Sequence, residues 1–393
     1  MPIEKADSHP KTTLIVLTHS LQAQRLVNLL SSELGRSLAS ELRGKSEVLF
    51  LEWPGSQPHS ASWFKLQQML DVPALIHFTL PRHPNYLSFS KKEQYLKFYE
   101  RLLNARPALE RIFFLSYFSH YSYLAQLSRL RSIRLELVEE GLATYKGLNE
   151  SFSLPEPTAS HQFLYISFVA VRDVFLAFHE FFREIRALIL RPNTTVRAVP
   201  QGFRDFDVVY SRFPEVASVL FPTADVVDIA PGLITANTPD RRGHTSAFFG
   251  QAYPLSPEAF LFLLRKMLVI ASGPILVCPH PRANSNIVKN MREAVKRMAS
   301  DRLSFAKSGL GAEELIREST MEYVFSLTST VLMEAKLWDS GAKTVSLAEE
   351  LLGSGPRIAR RARRLLVTDH ETLTAFFEKG NNTPQTRPQR RRS

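Results

Sequence analysis

The stretch 133–145, IRLELVEEGLATY, decides how this chain is read. Ile133, Leu135 and Leu137 alternate with Arg134, Glu136 and Val138, a period-two pattern that predicts a strand, and Gly141 supplies the permissive backbone that ends it. Glu139 and Glu140 then stand just past the carboxyl end of a strand, where ligands bind in open α/β sheets. Neighbouring carboxylates repel, so one of the two pKa values can rise toward neutrality and suit general-base work. The same residues also make an ordinary solvated acidic turn, and the tripeptide alone does not decide between the two.

Outward from this stretch the pattern alternates. Strands are predicted over 12–18, 48–51, 74–78 and 112–115, and helices over 20–34, 91–104 and 119–130, with 133–138 closing the series. Strands alternating with helical segments predict a parallel, doubly wound sheet, hence a Rossmann-like first domain. His19 and Ser20 fall at its first strand-to-helix turn, where they line a ligand crevice or, for Ser20, cap the helix. Between Pro155 and Pro192 the chain is crowded with aromatics, and its charges exclude a bilayer span. Core or interdomain helices are expected there, with membrane-surface attachment as the other reading. Residues 191–202 read as a linker.

A second series starts with strands at 207–210 and 226–229. A helix over 256–269 follows, with Ser256 placed to cap it and Pro257 in its first turn. Strand 275–278, helix 286–298, strand 323–327 and helix 331–338 complete the set. The expected domains are therefore 1–200 and 201–380, both Rossmann-like, with a basic disordered tail over 381–393.

Two further stretches carry polar groups at strand ends. Ile275–Cys278 runs into Pro279, His280, Pro281 and Arg282. His-Pro also occurs at His9 and His83, but only His280 directly follows a four-residue apolar strand in the second half. The other stretch has Ser326, Thr328, Ser329 and Thr330 leading into a helix that carries Glu334. Hydroxyls and the N–H groups at a helix start hold phosphate, or simply cap the helix. Glu334, one turn further on, accepts bonds from a ribose or merely complements the helix dipole.

Composition sets the bounds. A chain of 393 residues, 44% apolar, buries ample core and is long enough for two domains. A single cysteine, Cys278, rules out an internal disulfide framework, and no Cys/His cluster has zinc-ligand spacing. The polar start and the short apolar run at 14–17 do not read as a signal peptide or membrane span, so a reducing, cytoplasmic setting is expected. The net charge is +11, with the excess late in the chain, at Arg357, Arg360, Arg361, Arg363, Arg364, Arg387 and Arg390 to Arg392. Such blocks attract polyanions or anionic headgroups. A non-catalytic nucleic-acid binder would interleave basic and aromatic residues on one face, whereas here they lie in different regions, so no nucleic-acid partner is expected.

In order and spacing, the Glu139-Glu140-Gly141, His280-Pro281 and Ser329-Thr330 elements resemble the signatures of bacterial sialyltransferases. The nearest likeness is to capsular polysialyltransferases, and the next to lipooligosaccharide sialyltransferases. Phe249-Gly250-Gln251 resembles that family's strand-end turn before the nucleotide domain. The resemblance implies an α/β chain of GT-B architecture, two Rossmann-like domains facing across a cleft, the first on the acceptor side and the second binding a CMP-sugar. It implies inverting single displacement from CMP-Neu5Ac onto a poly- or oligosialic acid or a lipooligosaccharide, for capsule or surface-glycan synthesis, without metal or other cofactor. One motif glutamate would take the acceptor proton and His280 would stabilise or protonate the departing phosphate. Ser329 and Thr330 would hold that phosphate, with Gly250, Gln251, Pro281 and Glu334 also on the donor side and Gly141, His19 and Ser20 on the acceptor side.

Which glutamate is the base stays open. Glu139 continues the parity of Leu135 and Leu137, Glu140 that of Glu136 and Val138, and the reading leans to Glu139. Ala283 stands where polysialyltransferases often carry a glutamate, which leaves room for a monosialyltransferase or for a donor carrying another nonulosonic acid or Kdo. Asp205-Phe206-Asp207 looks like a metal-binding Asp-X-Asp, but its place at a strand entrance predicts structural use. The expected partners are CMP-sialic acid and an anionic glycan, together with the inner membrane face or capsule-assembly proteins reached through the basic C-terminal region.

Overall fold

In the computed structural model two compact units divide the chain, Met1–Leu233 and Ile234–Ser393. The structure describes residues 12–18, 20–52, 61–72, 75–79, 89–118, 120–149, 181, 182, 185, 189, 196, 202–229, 246–280, 283–306, 315–316, 321–337 and 342–382. The predicted aromatic helices over 155–192 lie almost wholly outside this set, as do the linker apart from Val196 and Gly202, and the 383–393 part of the tail.

The first unit contains strands β1 (Thr13–Leu17), β2 (Ser46–Glu52), β3 (Leu75–Thr79), β4 (Arg111–Phe114), β5 (Arg134–Val138), β6 (Val208–Ser211) and β7 (Asp225–Asp228). They form one sheet in the order β3-β2-β1-β4-β5-β6-β7, every pair parallel. Helices α1 (Ser20–Ser31), α2 (Glu33–Leu42), α3 (Ala61–Leu70), α4 (Phe89–Asn104), α5 (Tyr121–Arg129) and α6 (Pro214–Leu220) connect them. Ile15, Leu17, Val48 and Phe113 pack with Leu26, Leu30, Trp63 and Leu66 of α1 and α3 in one core. At about 25 cal/mol per Å² of apolar surface removed from water, such burial is the main favourable contribution to the sheet.

Three expectations change. The helix predicted over 20–34 is two helices, because Ser32 leaves the helical conformation and its hydroxyl accepts from Gly35 N at 3.0 Å, starting α2 afresh. The domain boundary predicted at 200/201 falls instead between Leu233 and Ile234. The reason is pairing: β6 lies beside β5, and β7 beside β6, so the strands taken as the start of a second domain complete the first sheet. Parity along 133–138 also fails to separate the two glutamates, since Leu135, Glu136, Leu137 and Val138 are all buried. A strand inside a doubly wound sheet has no solvent face for alternation to report.

The second unit repeats the plan with β8 (Ser246–Phe249), α7 (Pro257–Ile270), β9 (Ile275–Cys278), α8 (Ser285–Met298), β10 (Leu303–Phe305), β11 (Tyr323–Ser326), α9 (Thr330–Leu337), β12 (Lys343–Ser346), α10 (Ala348–Gly353) and α11 (Arg360–Asn382). Its sheet runs β10-β9-β8-β11-β12, again all parallel. The expected cap of α7 is present, with Ser256 Oγ accepting from Ala259 N and Pro257 at the first position. The fold class is therefore α/β with two Rossmann-like units, the content of a GT-B chain.

Asp205-Phe206-Asp207 is a clasp. Both carboxylates bond Arg129, Asp207 Oδ2 also accepts from Leu135 N at 2.6 Å, and Phe206 is buried between them. Among the described residues no three His, Cys, Asp or Glu side chains gather into a group suited to a metal ion. Asp207→Ala is expected to lower stability by about 1–3 kcal/mol, read from the urea midpoint, because it strands the Leu135 N–H.

His120 is wholly buried, stacked with ring centroids 5.2 Å from Tyr95 and 4.4 Å from Tyr121, and Tyr99 Oη lies 2.6 Å from its Nδ1. Burial pulls its pKa down to about 3. Unfolded chain takes up this proton near pH ~6.5 while folded chain refuses it until about pH 3, so the stability present above ~6.5 is lost as pH falls through that window. The urea midpoint of the wild type is expected to fall more steeply below pH ~6.5 than that of His120→Gln, which cannot titrate.

Candidate active site

In the first sheet the winding reverses between β1 and β4, and ligands of such folds bind at that switch point, outside the carboxyl ends of the strands. Gln22, in the first turns of α1, crosses these ends. Its Oε1 accepts from Thr18 N at 2.7 Å and Thr18 Oγ1 at 3.1 Å, just past β1, while its Nε2 donates to Glu140 Oε2 at 3.1 Å, just past β5. Glu140 is partly exposed, and its own N–H is held by Thr144 Oγ1 at 2.9 Å. Tyr121 lies alongside; burial first, and the Glu140 charge next among the effects that raise it, push its phenol above the ordinary range, so it stays neutral beside the carboxylate.

Glu139 has a different environment. It is 1% exposed, and Arg212 Nη2 donates to its Oε1 at 2.7 Å. Arg212 N at 2.8 Å and Ser211 Oγ at 3.1 Å donate to Oε2. Since the Ser211 proton goes to Glu139, the 2.8 Å contact between Tyr145 Oη and Ser211 Oγ is donated by the tyrosine. Burial, and then the Glu139 charge, hold that phenol well above its usual range. Adjacent in sequence, the two glutamates divide into an enclosed ion pair and a partly exposed group held by Gln22. Gly141 ends the motif: its φ of 129° and ψ of −146° belong to a region closed to side-chain-bearing residues, and there the chain turns sharply into the 3₁₀ segment Leu142–Leu148.

In the second unit His280 stands two residues past β9, partly exposed, in a turn closed by Ala283 N donating to its carbonyl at 2.8 Å. Gly250 follows β8, where a Cβ would stand 2.9 Å from Met291 Cε and 3.2 Å from the Cys278 carbonyl, so a larger residue would have to displace the methionine end. Gln251 follows it, partly exposed. Ser329 and Thr330 are partly exposed at the start of α9, where Ser329 Oγ accepts from Val331 N at 3.3 Å. Glu334 departs from its expected place on the donor: its side chain is wholly enclosed, so it is a core residue of α9 rather than a surface contact for a ribose. Pro281, His19 and the Ser20 side chain lie outside the described residues, and Ser20 is the first residue of α1.

Sequence reasoning missed Gln22, Ser211 and Arg212. Gln22 has no local signal, being an ordinary helical residue until β1 and β5 are brought near each other. Ser211 and Arg212 sit at the carboxyl end of β6, and the strand-end rule that selected the glutamates would have found them had β6 been assigned to the first sheet. Arg212→Leu is expected to cost about 3–5 kcal/mol by leaving a buried carboxylate uncompensated, and the Glu139→Leu/Arg212→Leu double variant far less. Urea midpoints of the two single variants and the double variant give the coupling.

A family model described as alpha-2,8-polysialyltransferase matches residues 46–348. No curated protein matches the chain. Solved structures similar over nearly their whole length include UDP-GlcNAc 2-epimerase from Neisseria meningitidis bound to UDP-GlcNAc, with 7% identity over 93% of this chain and 91% of that one and a TM-score of 0.46. Phytolacca americana UGT2 in complex with UDP-2fluoro-glucose and pterostilbene has 11% identity over 95% and 94%, at 0.43. Acinetobacter baumannii MurG has 9% identity over 95% and 96%, at 0.41. With its acidic-acidic-glycine, His-Pro and Ser-Thr elements all inside residues 46–348, this chain belongs to the alpha-2,8-polysialyltransferase family and is a sialyltransferase-type glycosyltransferase.

Proposed function

We propose that the chain transfers sialic acid from CMP-Neu5Ac to a sialylated glycan by inverting single displacement, with Glu140 as the general base. The observation that carries the choice of base is the unequal fate of the two motif glutamates. Glu139 is spent on Arg212 and Ser211, whereas Glu140 is partly exposed at the switch point and oriented by Gln22. A base must reach the proton it removes, so access decides before basicity does. Glu139 then acts through its neighbours: it ties the end of β5 to the end of β6 and so sets where Glu140 stands.

On the donor side His280 stabilises or protonates the departing CMP phosphate, and Ser329 and Thr330 offer hydroxyls at a helix start to the same charge. The sugar carbon gains oxocarbenium character as the bond to phosphate lengthens, so leaving-group stabilisation contributes more than a strong nucleophile would. The exposed Arg357, Arg360, Arg363 and Arg364 support capture of an anionic acceptor and attachment to anionic headgroups at the inner membrane face. No described helix is long and apolar enough to cross a membrane.

Purified protein given CMP-Neu5Ac and an oligosialic acceptor is expected to release CMP and lengthen the acceptor. Glu140→Gln should lose about 10²–10⁴-fold in transfer, as removal of a general base does, and His280→Ala should also lose transfer. Wild type that neither binds CMP nor releases it from the donor sinks the proposal. Full transfer by Glu140→Gln beside an inactive, folded Glu139→Gln would hand the base role to Glu139. A ladder of products marks a polymerase, a single addition a monosialyltransferase.

A further inference from the structure

The second sheet has its own switch point, between β8 and β11. The loops that follow these strands, 250–256 and 327–329, are the ones the donor reading uses, through Gly250 and Gln251 on one and Ser329 and Thr330 on the other. A chain of hydrogen bonds joins them. Tyr253 Oη lies 2.7 Å from Thr328 Oγ1 and bonds Asp369 Oδ2, with Tyr253 only 6% exposed and Thr328 3%. An ionised carboxylate only accepts, so Tyr253 donates to Asp369 and Thr328 donates to Tyr253, which fixes the direction of the whole chain. Burial, and then the Asp369 charge, raise the Tyr253 phenol far enough to keep that proton in place.

Asp369 comes from α11, which lies entirely beyond the 46–348 stretch matched by the family model. The helix is seated by Leu366, Thr372, Leu373 and Phe376, all buried, and Lys336 of α9 stands 4.3 Å over the Phe377 ring. These contacts hold α11 against the core, and from it Asp369 Oδ2 accepts from the Tyr253 phenol.

We propose that Asp369 is a positioning residue for the donor site: through Tyr253 it locks Thr328, and with it the adjoining Ser329-Thr330 turn, against the β8 loop, so that both loops are set before a CMP-linked donor arrives. The inference rests on the donor reading above. Rigidity already present in the free protein does not have to be created on binding, so loss of the lock weakens the donor rather than the acceptor.

The test measures CMP affinity by calorimetry, amide hydrogen exchange in both loops, and melting temperature, for wild type, Asp369→Ala, Asp369→Asn, Tyr253→Phe and Thr328→Val. Asp369→Ala and Tyr253→Phe are expected to weaken CMP about ten-fold, the loss of one charge-assisted hydrogen bond, and to speed exchange in both loops. Asp369→Asn, which still accepts from Tyr253, should recover most of the affinity, whereas a merely structural role would lower the melting temperature and leave CMP affinity unchanged. If Asp369→Ala or Tyr253→Phe fails to fold, Thr328→Val, which breaks the same chain at its other end, carries the test. Unchanged CMP affinity, or unchanged exchange in the loops, in folded variants overturns the proposal. Wild type that binds no CMP overturns the donor reading instead, and the exchange data then decide by themselves whether Asp369 locks the loops.

Discussion

Every strand in both sheets runs parallel to its neighbours, and the consequences of that constraint reach every residue of interest. Parallel strands need a crossover after each one, so all carboxyl ends in a sheet lie on one edge, and the loops leaving that edge diverge where the winding reverses. Glu139, Glu140, Ser211 and Arg212 all leave the same edge of the first sheet, and Gln22 crosses to it. His280, Gly250, Tyr253, Thr328 and Ser329 leave the corresponding edge of the second.

On that edge, charge burial sorts the residues. A carboxylate withdrawn from water is tolerated only when donors replace the lost solvent, and Glu139 has three of them, including a guanidinium that is itself buried. Glu136 is a second buried carboxylate, accepting from Tyr210 Oη at 2.9 Å and ion-paired with Arg134 Nε at 2.9 Å. The contacts of Glu136 with Tyr210 and of Glu139 with Ser211 and Arg212 tie β5 to β6. Glu140 and His280 keep partial exposure. In this chain the same sorting separates the acids of the acidic-acidic-glycine motif: Glu139 anchors the strand end, Glu140 stays partly exposed, and Gly141 permits the turn that follows them.

Both units also use a long-range polar side chain to fix a switch point, amide in one and phenol in the other. Gln22 reaches from α1 to Glu140, and Tyr253 reaches from the β8 loop to Thr328 and to Asp369 on the last helix. Each joins segments far apart in sequence, 118 residues in the first case and 75 and 116 in the second. Such contacts cost chain entropy to form and give back a defined loop geometry.

By itself the sequence determined what local pattern can determine. The βα alternation, the cap at Ser256, the glycine turn after Glu140 and the apolar strand before His280 all follow from residues within a few positions of one another. The family likeness was equally legible, because its three motifs are short and contiguous. Tertiary structure alone decided the rest. The membership of β6 and β7 in the first sheet depends on which strand edge they pair with, and no local period encodes that. The short β10 and β12 went unread because three or four half-polar residues carry no period. The unequal burial of Glu139 and Glu140 turned on Arg212, whose approach needs β5 and β6 side by side. Burial on both faces of β5 had erased the alternation from which a choice between the two glutamates would have to be read.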